Sequence, residues 1–401
     1  MKKLNVLQLN KYYFPHIGGI ERVVQQIAEG LAQDTNMTVL VSAESKTRQE
    51  ETIEGVHLIR LSRHIKFGSM PVSFGLFTEL RRLAKTQDII HLHMPFPIGD
   101  LACLLSGYKG KIVLWWHSDV VRQKKLMILY KPVMMQMLKR ADVIIVATEG
   151  HIEGSVYLKP FREKCRVIPF GVETSIEEAA DRHLLQESYT AQTIKEESAD
   201  EHLVKFLFVG RFSYYKGCDI LLDAFSKVHG AELILAGSGD IKAELEEKAK
   251  KLRIADKLHF TGKLSEEELC RHYAECDVFV LPSVARSEAF GLVQIEAMAF
   301  GKPVINTNLP SGVPYVSLHK ETGLTVEPGN AEELAAAMQW LVDHEKERLL
   351  MGEKARERMK AEYRLEDMTA RVLELYREIT EETNTLPAQA GGHFPPENKE
   401  N

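Results

Sequence analysis

Residues 278–300 read VFVLPSVARSEAFGLVQIEAMAF, and this stretch decides the fold. Its opening apolar run, 278–281, fits a short strand buried on both faces. A loop follows from Pro282, and a helix begins near Gly291, where the apolar residues take up helical spacing. Strand, loop and helix in that order are the repeating half of a parallel α/β sheet. Working outward, the same alternation predicts strands at 204–209, 232–236, 257–260, 303–306 and 324–326, with helices at 217–228, 240–252, 265–275 and 331–343. The first half repeats the scheme. Strands are expected at 4–9, 37–42, 56–61, 88–93, 111–116, 142–147 and 165–168, and helices at 20–33, 74–85 and 126–139. The fold class is therefore α/β, with two Rossmann-like domains facing a cleft.

A chain of 401 residues exceeds what one core ordinarily organises, so two domains are expected. The first is assigned to residues 1–175 and the second to 204–365. Between them, 176–203 is acidic, polar and poor in strand formers, which reads as a linker. Residues 366–383 are expected to cross back to the first domain as a helix. The stretch 384–401, with Pro387, Gly391, Gly392, Pro395 and Pro396, reads as a disordered tail.

The composition is that of a soluble globular protein, 44% hydrophobic and 27% charged. No apolar run is long enough to span a membrane. The run after Lys3 is short and broken by Asn5, Gln8 and Asn10, which suits a first strand rather than a secretory leader. The five cysteines form no C-x-x-C pair, so a reducing, cytoplasmic setting is expected. No D-x-D occurs, which removes the usual carboxylate pair for Mg²⁺ or Mn²⁺. His91 and His93 alternate on one strand, and with no third ligand nearby they read as a buried strand end. Charge is uneven. Residues 1–176 hold 24 Lys and Arg against 16 Asp and Glu, a balance of +8; the chain as a whole is −6, leaving −14 for the rest. A cationic first half points to an anionic partner such as a membrane surface. No nucleic-acid partner is expected.

In open parallel sheets, ligands bind beyond the carboxyl ends of the strands. Three loops there carry chemistry. After the first strand, Gly18 and Gly19 precede a helix and let backbone N–H groups approach an anion. After 204–209, Arg211 and Lys216 offer a planar fork and a point charge to phosphates. In the opening stretch, Glu288 lies in the loop and Glu296 in the helix, whose free N–H groups suit a diphosphate.

Taken together, these residues resemble the retaining GT-B glycosyltransferases of family 4. The likeness rests on the E-x7-E pair Glu288 and Glu296 around Phe290-Gly291-Leu292, with the GGxE loop at Gly18, the GR…KG loop at Arg211 and Lys216, LAGSGD at 235–240, and Thr322-Gly323-Leu324 in the same order. It covers roughly residues 4–375. The resemblance implies that Gly18 and Gly19 line the donor diphosphate and that Arg211 and Lys216 neutralise it as it leaves. Glu288 would touch the transferred sugar, the backbone N–H groups of Phe290, Gly291 and Leu292 would hold sugar and phosphate, and Glu296 would bind the ribose. His117, in Trp115-Trp116-His117, matches the family histidine near the sugar. Phe170 departs from the family, where Asn often follows the proline. The stretch 308–314, NLPSGVP, resembles a branch of bacterial polysaccharide mannosyltransferases and raises GDP-mannose as donor.

The resemblance thus implies a retaining transferase that moves a hexose from a GDP- or UDP-linked donor to a lipid-linked glycan or polysaccharide. The missing D-x-D adds the expectation that no metal or other cofactor is needed, and the charge asymmetry adds that of a cytoplasmic protein docking on the inner face of the cell membrane, with Arg81, Arg82 and Lys85 on one helix and Arg122, Lys124 and Lys125 beyond His117 as candidate contacts. Rival readings are another GT-B enzyme (an epimerase or a sugar phosphorylase), a nicotinamide dehydrogenase, or a sugar-nucleotide-binding protein without catalysis. The dehydrogenase reading is poor, because Gly237-Ser238-Gly239 lacks the third glycine at the required spacing.

Overall fold

A computed structural model describes residues 3–16, 18–42, 46–67, 70–120, 124–193 and 203–385. The first half supplies β1 (Leu4–Leu9), β2 (Thr35–Ser42), β3 (Gln49–Ile53), β4 (Val56–Leu61), the small antiparallel ribbon β5 (Ile65–Phe67) and β6 (Met70–Val72), then β7 (Ile89–Met94), β8 (Lys111–Trp116), β9 (Val143–Val146) and β10 (Cys165–Val167). Apart from the ribbon these strands form one sheet, in the order β10-β9-β8-β7-β1-β2-β4-β3. All neighbours are parallel except β3 on β4. The second half supplies β11 (Val204–Val209), β12 (Ala231–Ala236), β13 (Leu258–Gly262), β14 (Val278–Val280), β15 (Val304–Thr307) and β16 (Gly323–Val326). These form an all-parallel sheet in the order β13-β12-β11-β14-β15-β16.

The central strands are continuous apolar runs because helices cover both faces of each sheet. Residues of β7 and β8 are almost wholly buried. Each sheet reverses direction beside its first strand, between β1 and β7 and again between β11 and β14. Such a reversal opens a crevice at the carboxyl ends, and there the functional loops emerge.

The segment expected to be a linker is instead a helix, Thr174–Thr193. Ile176 and Ala180, one turn apart, bury a narrow stripe, and the helix packs on Glu266–Glu275 and Leu292–Ala299 of the second lobe. Its acidic residues find cations: Glu177 pairs with Arg364 at 3.1 Å and Asp181 with Arg356. Residues 194–202 and the expected tail beyond Thr385 lie outside the described residues. Further elements escaped the sequence reading, among them the ribbon β5 and β6, the short helices Glu149–Gly154 and Val313–Val316, and two that shape the first lobe. The strand β3 is polar and exposed at the sheet edge, and the helix Pro97–Leu105 begins with proline in its first turn.

The chain crosses between lobes twice, near Gly171–Glu173 and Tyr363–Leu365. The two passes touch: Val172 N–H donates to the Tyr363 carbonyl at 2.8 Å. A Cβ on Gly171 would lie 2.5 Å from the Leu365 Cα, so only glycine fits there. The helix Leu365–Thr385 then packs on Gly19–Gly30 of the first lobe, and its Tyr376 hydroxyl meets His91 Nδ1 at 2.6 Å. No described helix is long and apolar enough to cross a membrane.

Candidate functional site

Between the lobes lies a cavity of about 380 Å³. Gly19 and Arg22 enter it from the loop and helix after β1, His117 from the end of β8, and Phe170 from the segment after β10. The other wall is Lys216 after β11 and Ser287–Val293 with Glu296 after β14. The structure thus gathers His117, Lys216, Glu288, Phe290, Gly291, Leu292, Glu296 and Gly19 around one space.

Two loops must meet closely for Lys216 to reach Glu288. Lys216 ends a 3₁₀ turn, Tyr214–Lys216, and is followed by Gly217 at φ +68°. A Cβ on Gly217 would sit 2.0 Å from the Pro282 carbonyl oxygen, so glycine lets the loops press together. Val284 N–H then donates to the Tyr215 carbonyl at 2.8 Å. The result is an ion pair, Lys216 Nζ to Glu288 Oε2, at 2.6 Å with both side chains 11% exposed. Ser283 Oγ also donates to Glu288 Oε2, at 3.1 Å. Burial would push the Lys216 ammonium down, but Glu288 and Tyr215 beside it hold it above its ordinary value. It stays a cation at neutral pH.

Gly291 caps the helix Leu292–Ala299 at φ +76°. The N–H of Gln294 donates to the Gly291 carbonyl at 2.8 Å, while those of Leu292 and Val293, ahead of any intrahelical acceptor, give this stretch of the cavity lining a partial positive charge. Glu296 lies about 6 Å further along the axis at 1.5 Å per residue. Its carboxylate is already engaged on both oxygens. Arg22 Nη1 donates to Oε1 at 2.9 Å, and the Tyr273 hydroxyl donates to Oε2 at 2.7 Å. Arg22 also pairs with Glu173 at 3.3 Å. Sequence reading overlooked Arg22, although it stands one turn after Gly18 in the same glycine loop and helix.

The first-lobe wall is built from rings. His117 is 6% exposed, and its ring lies parallel to Phe170, 5.7 Å between centroids, and to Trp115 at 6.1 Å. Phe170 meets Phe290 of the other lobe edge-on at 5.0 Å. The residue that departs from the family pattern therefore makes an apolar contact across the cleft. Burial, with His91, His151 and Lys11 nearby, pushes His117 well below its ordinary pKa. His91 and His93, the alternating pair on β7, are fully buried behind it. His93 Nδ1 and His117 Nε2 lie 2.9 Å apart. The period-two spacing already put both histidines on one face, but their link to His117 depends on the pairing of β7 with β8. No group of three or more metal-ligating side chains occurs among the described residues.

Arg211 is not brought into this cavity. It is exposed, pairs with Asp240 at 3.0 Å, and lines a separate groove with Gly237, Ser238, Gly239 and Lys263. Gly18 also stands outside, in the neighbouring groove with Arg22 and Glu173. The lobes touch again beside the cavity, where the Tyr315 hydroxyl donates to Glu153 at 2.5 Å and Arg286 lies 3.8 Å from Asp119.

Residues 17–176 match the family model described as Glycosyltransferase Family 4, and residues 190–358 match that of Glycosyl transferases group 1. The D-rhamnosyltransferase WbpZ of Pseudomonas aeruginosa is 32% identical over 88% of this chain and 91% of its own. The O-antigen chain mannosyltransferase C of Escherichia coli is 30% identical over 94% and 99%. Among solved structures, sucrose-phosphate synthase from Thermosynechococcus elongatus superposes with a TM-score of 0.74 at 22% identity, covering 95% of this chain and all of that one.

Proposed function

We infer what this chain does from what it is: a member of glycosyltransferase family 4, and so a glycosyltransferase. The reading the site supports best is transfer of a mannosyl or rhamnosyl residue from a GDP-linked donor to a growing bacterial polysaccharide, with retention of anomeric configuration. The donor sugar follows the activities named for the two similar bacterial enzymes and the NLPSGVP stretch at 308–314.

One observation carries the reading: a buried Lys216–Glu288 pair beside a free helix N-terminus, facing the uncharged His117–Phe170 wall. In the proposed reaction the glycosidic bond to the diphosphate breaks and negative charge grows on the leaving oxygen. Lys216 and the N–H groups at Gly291 and Leu292 stabilise that charge. Glu288 holds Lys216 and faces the sugar, while His117 meets the sugar from the opposite wall. The acceptor hydroxyl enters on the face the diphosphate leaves and gives up its proton to the departing group. With no D-x-D in the sequence, we propose that this charge is managed without a metal.

We also propose that the acceptor is lipid-linked and that the first lobe docks on an anionic membrane. Ile128 and Leu129 are 76% and 78% exposed on the helix Lys124–Arg140, with Lys131 exposed beside them. Leu101 and Leu105 are exposed on Pro97–Leu105, which packs against it. The second lobe has a comparable pair, Leu349 and Leu350, but it is set in the charge-balanced stretch EKERLLMGEK, three Glu against three Lys and Arg, in the lobe that carries the negative balance. Among the first-lobe cations near this face by sequence, Arg81 and Lys85 are exposed and Arg82 pairs with Glu79 at 2.6 Å. Arg122 lies outside the described residues.

The test is a panel of GDP- and UDP-sugars with a lipid-linked acceptor in excess EDTA, with product anomers read by NMR. Transfer from a GDP-linked sugar with retention is expected. Inversion, preference for UDP donors, or activity restored only by added Mg²⁺ or Mn²⁺ would each remove part of the proposal.

A further inference from the structure

We propose that Gln8 and His93 are positioning residues that set the tautomer of His117, so that His117 meets the transferred sugar with a bare ring nitrogen and accepts a hydrogen bond from a sugar hydroxyl. This rests on the reading above that His117 stands beside that sugar.

The three side chains form a line running inward from the cavity. His117 lines the cavity after β8, His93 lies behind it on β7, and Gln8 lies behind His93 on β1. The distances are 2.9 Å from His117 Nε2 to His93 Nδ1, and 3.0 Å from His93 Nε2 to Gln8 Oε1. Gln8 is fully buried and His93 is 1% exposed, so no water network offers alternatives to these bonds.

The orientation of the Gln8 amide decides the rest. Its nitrogen lies 3.7 Å from Met37 Sδ, a weak acceptor with no proton to give. Turning the amide over would aim its carbonyl at the thioether and strand it. The carbonyl therefore faces His93 and accepts from Nε2–H. Among the described residues no carboxylate is bonded to either ring, and burial with the neighbouring histidines keeps both neutral. A neutral imidazole carries one proton. His93 thus holds its proton on Nε2 and accepts at Nδ1, which requires His117 to donate from Nε2. Nδ1 of His117 is left as an acceptor, and no hydrogen bond among the described residues engages it. The parallel rings of Trp115 and Phe170, at 14° and 5° to His117, fix the plane in which that acceptor points.

A neutral acceptor selects for O–H donors. A phosphate oxygen placed there would find no proton. The relay therefore marks the side of the cavity that takes the neutral polyol, away from the Lys216 side that takes the anion.

Nitrogen-15 NMR of the histidine-labelled full chain tests the tautomers directly. Nε2-protonated rings are expected for both His93 and His117. Gln8→Leu should let protonated Nδ1 appear at His117. Kinetics with the nucleotide-sugar donor the enzyme turns over supply the second readout. His93→Leu should lower kcat/KM about tenfold to a hundredfold, the range expected when a buried hydrogen-bonding group is left unpaired. His93→Gln, whose amide can accept from His117 and donate to Gln8, should recover most of that loss. A proton on Nδ1 of either wild-type ring overturns the relay, as does equal impairment in His93→Leu and His93→Gln. If the tautomers are as stated but His117→Ala keeps full activity, the sugar contact itself is wrong, and that result falls on the functional reading.

Discussion

Across one cavity, two walls treat charge in opposite ways. The second-lobe wall concentrates it, with a buried Lys216–Glu288 pair at 2.6 Å and a helix N-terminus that carries no side-chain cap within the same lining. The wall of His117 and Phe170 avoids it, with parallel rings backed by neutral histidines and an amide. A substrate that is anionic at one end and polyhydroxylated at the other fits between them. The contrast teaches that the Lys216 cation and the neutral ring wall are supplied by different lobes, so neither lobe alone completes the site.

The sharpest way to break this contrast is Lys216→Ala. Loss of a cation aimed at a developing oxyanion is worth about 3–4 kcal/mol, so kcat should fall about 10²- to 10³-fold. Removing one partner of a buried pair also destabilises, by about 3–5 kcal/mol. Adding Glu288→Gln should restore much of the melting temperature without restoring kcat. A Lys216→Ala enzyme of normal kcat would end the proposed role. On the opposite wall, His117→Ala should lower kcat/KM by about 1–3 kcal/mol, the range for one lost hydrogen bond in a dry site. An effect as large as that of Lys216→Ala would show that the neutral wall also stabilises charge.

Glu296→Ala should act chiefly on donor KM, because Arg22 and Tyr273 lose their shared acceptor at the lobe boundary. Glu288→Ala should act chiefly on kcat. The reverse pattern in steady-state kinetics would exchange the two assignments.

The neutral wall also has a pH consequence. Burial pushes His151 down to about 4, while the unfolded side chain titrates near its ordinary value of 6.5. As pH falls from 6.5 to 4, the unfolded chain takes up a proton that the native His151 refuses, so native stability is lost across that window. His151→Asn should flatten this acid limb by up to about 1.4 kcal/mol per pH unit, read from urea unfolding at several pH values. An unchanged slope would show that the native ring is already protonated. The smallest catalytic effect is expected for Ile128→Glu with Leu129→Glu. Turnover of a short soluble acceptor should stay within about twofold, while co-sedimentation with anionic vesicles is lost. Retained binding, or equal binding to neutral vesicles, would remove the docking surface.

Much of this was legible in the residues. The alternation of buried runs and amphipathic stretches marked the central strands, because parallel strands covered on both faces must be apolar throughout. Some elements that escaped have residues that look solvated, whereas Pro97–Leu105, PIGDLACLL, is apolar but short and opens on proline, so it shows no clear helical period. Gln49–Ile53 is a polar edge strand, and among the side chains described in Thr174–Thr193 the buried ones are the thin Ile176 and Ala180 stripe within an acidic stretch. In the site, the loops named Lys216, Glu288 and His117 and placed them at strand ends. Partners chosen by tertiary pairing were hidden. Arg22 meets Glu296 across 274 positions of sequence. His93 reaches His117 only because β7 and β8 are neighbours. Arg211 looked equivalent to Lys216 in the same loop, yet it points to Asp240 and a separate groove.

The double crossing between the lobes has a mechanical meaning. Two passes of chain bonded side by side at Val172 and Tyr363, with Gly171 flush against Leu365, behave as a strap rather than a swivel. A strap bends readily about one line and resists torsion. Such a connection would steer any opening of the cleft into a single swing, so that the two walls would meet in the same register on closing.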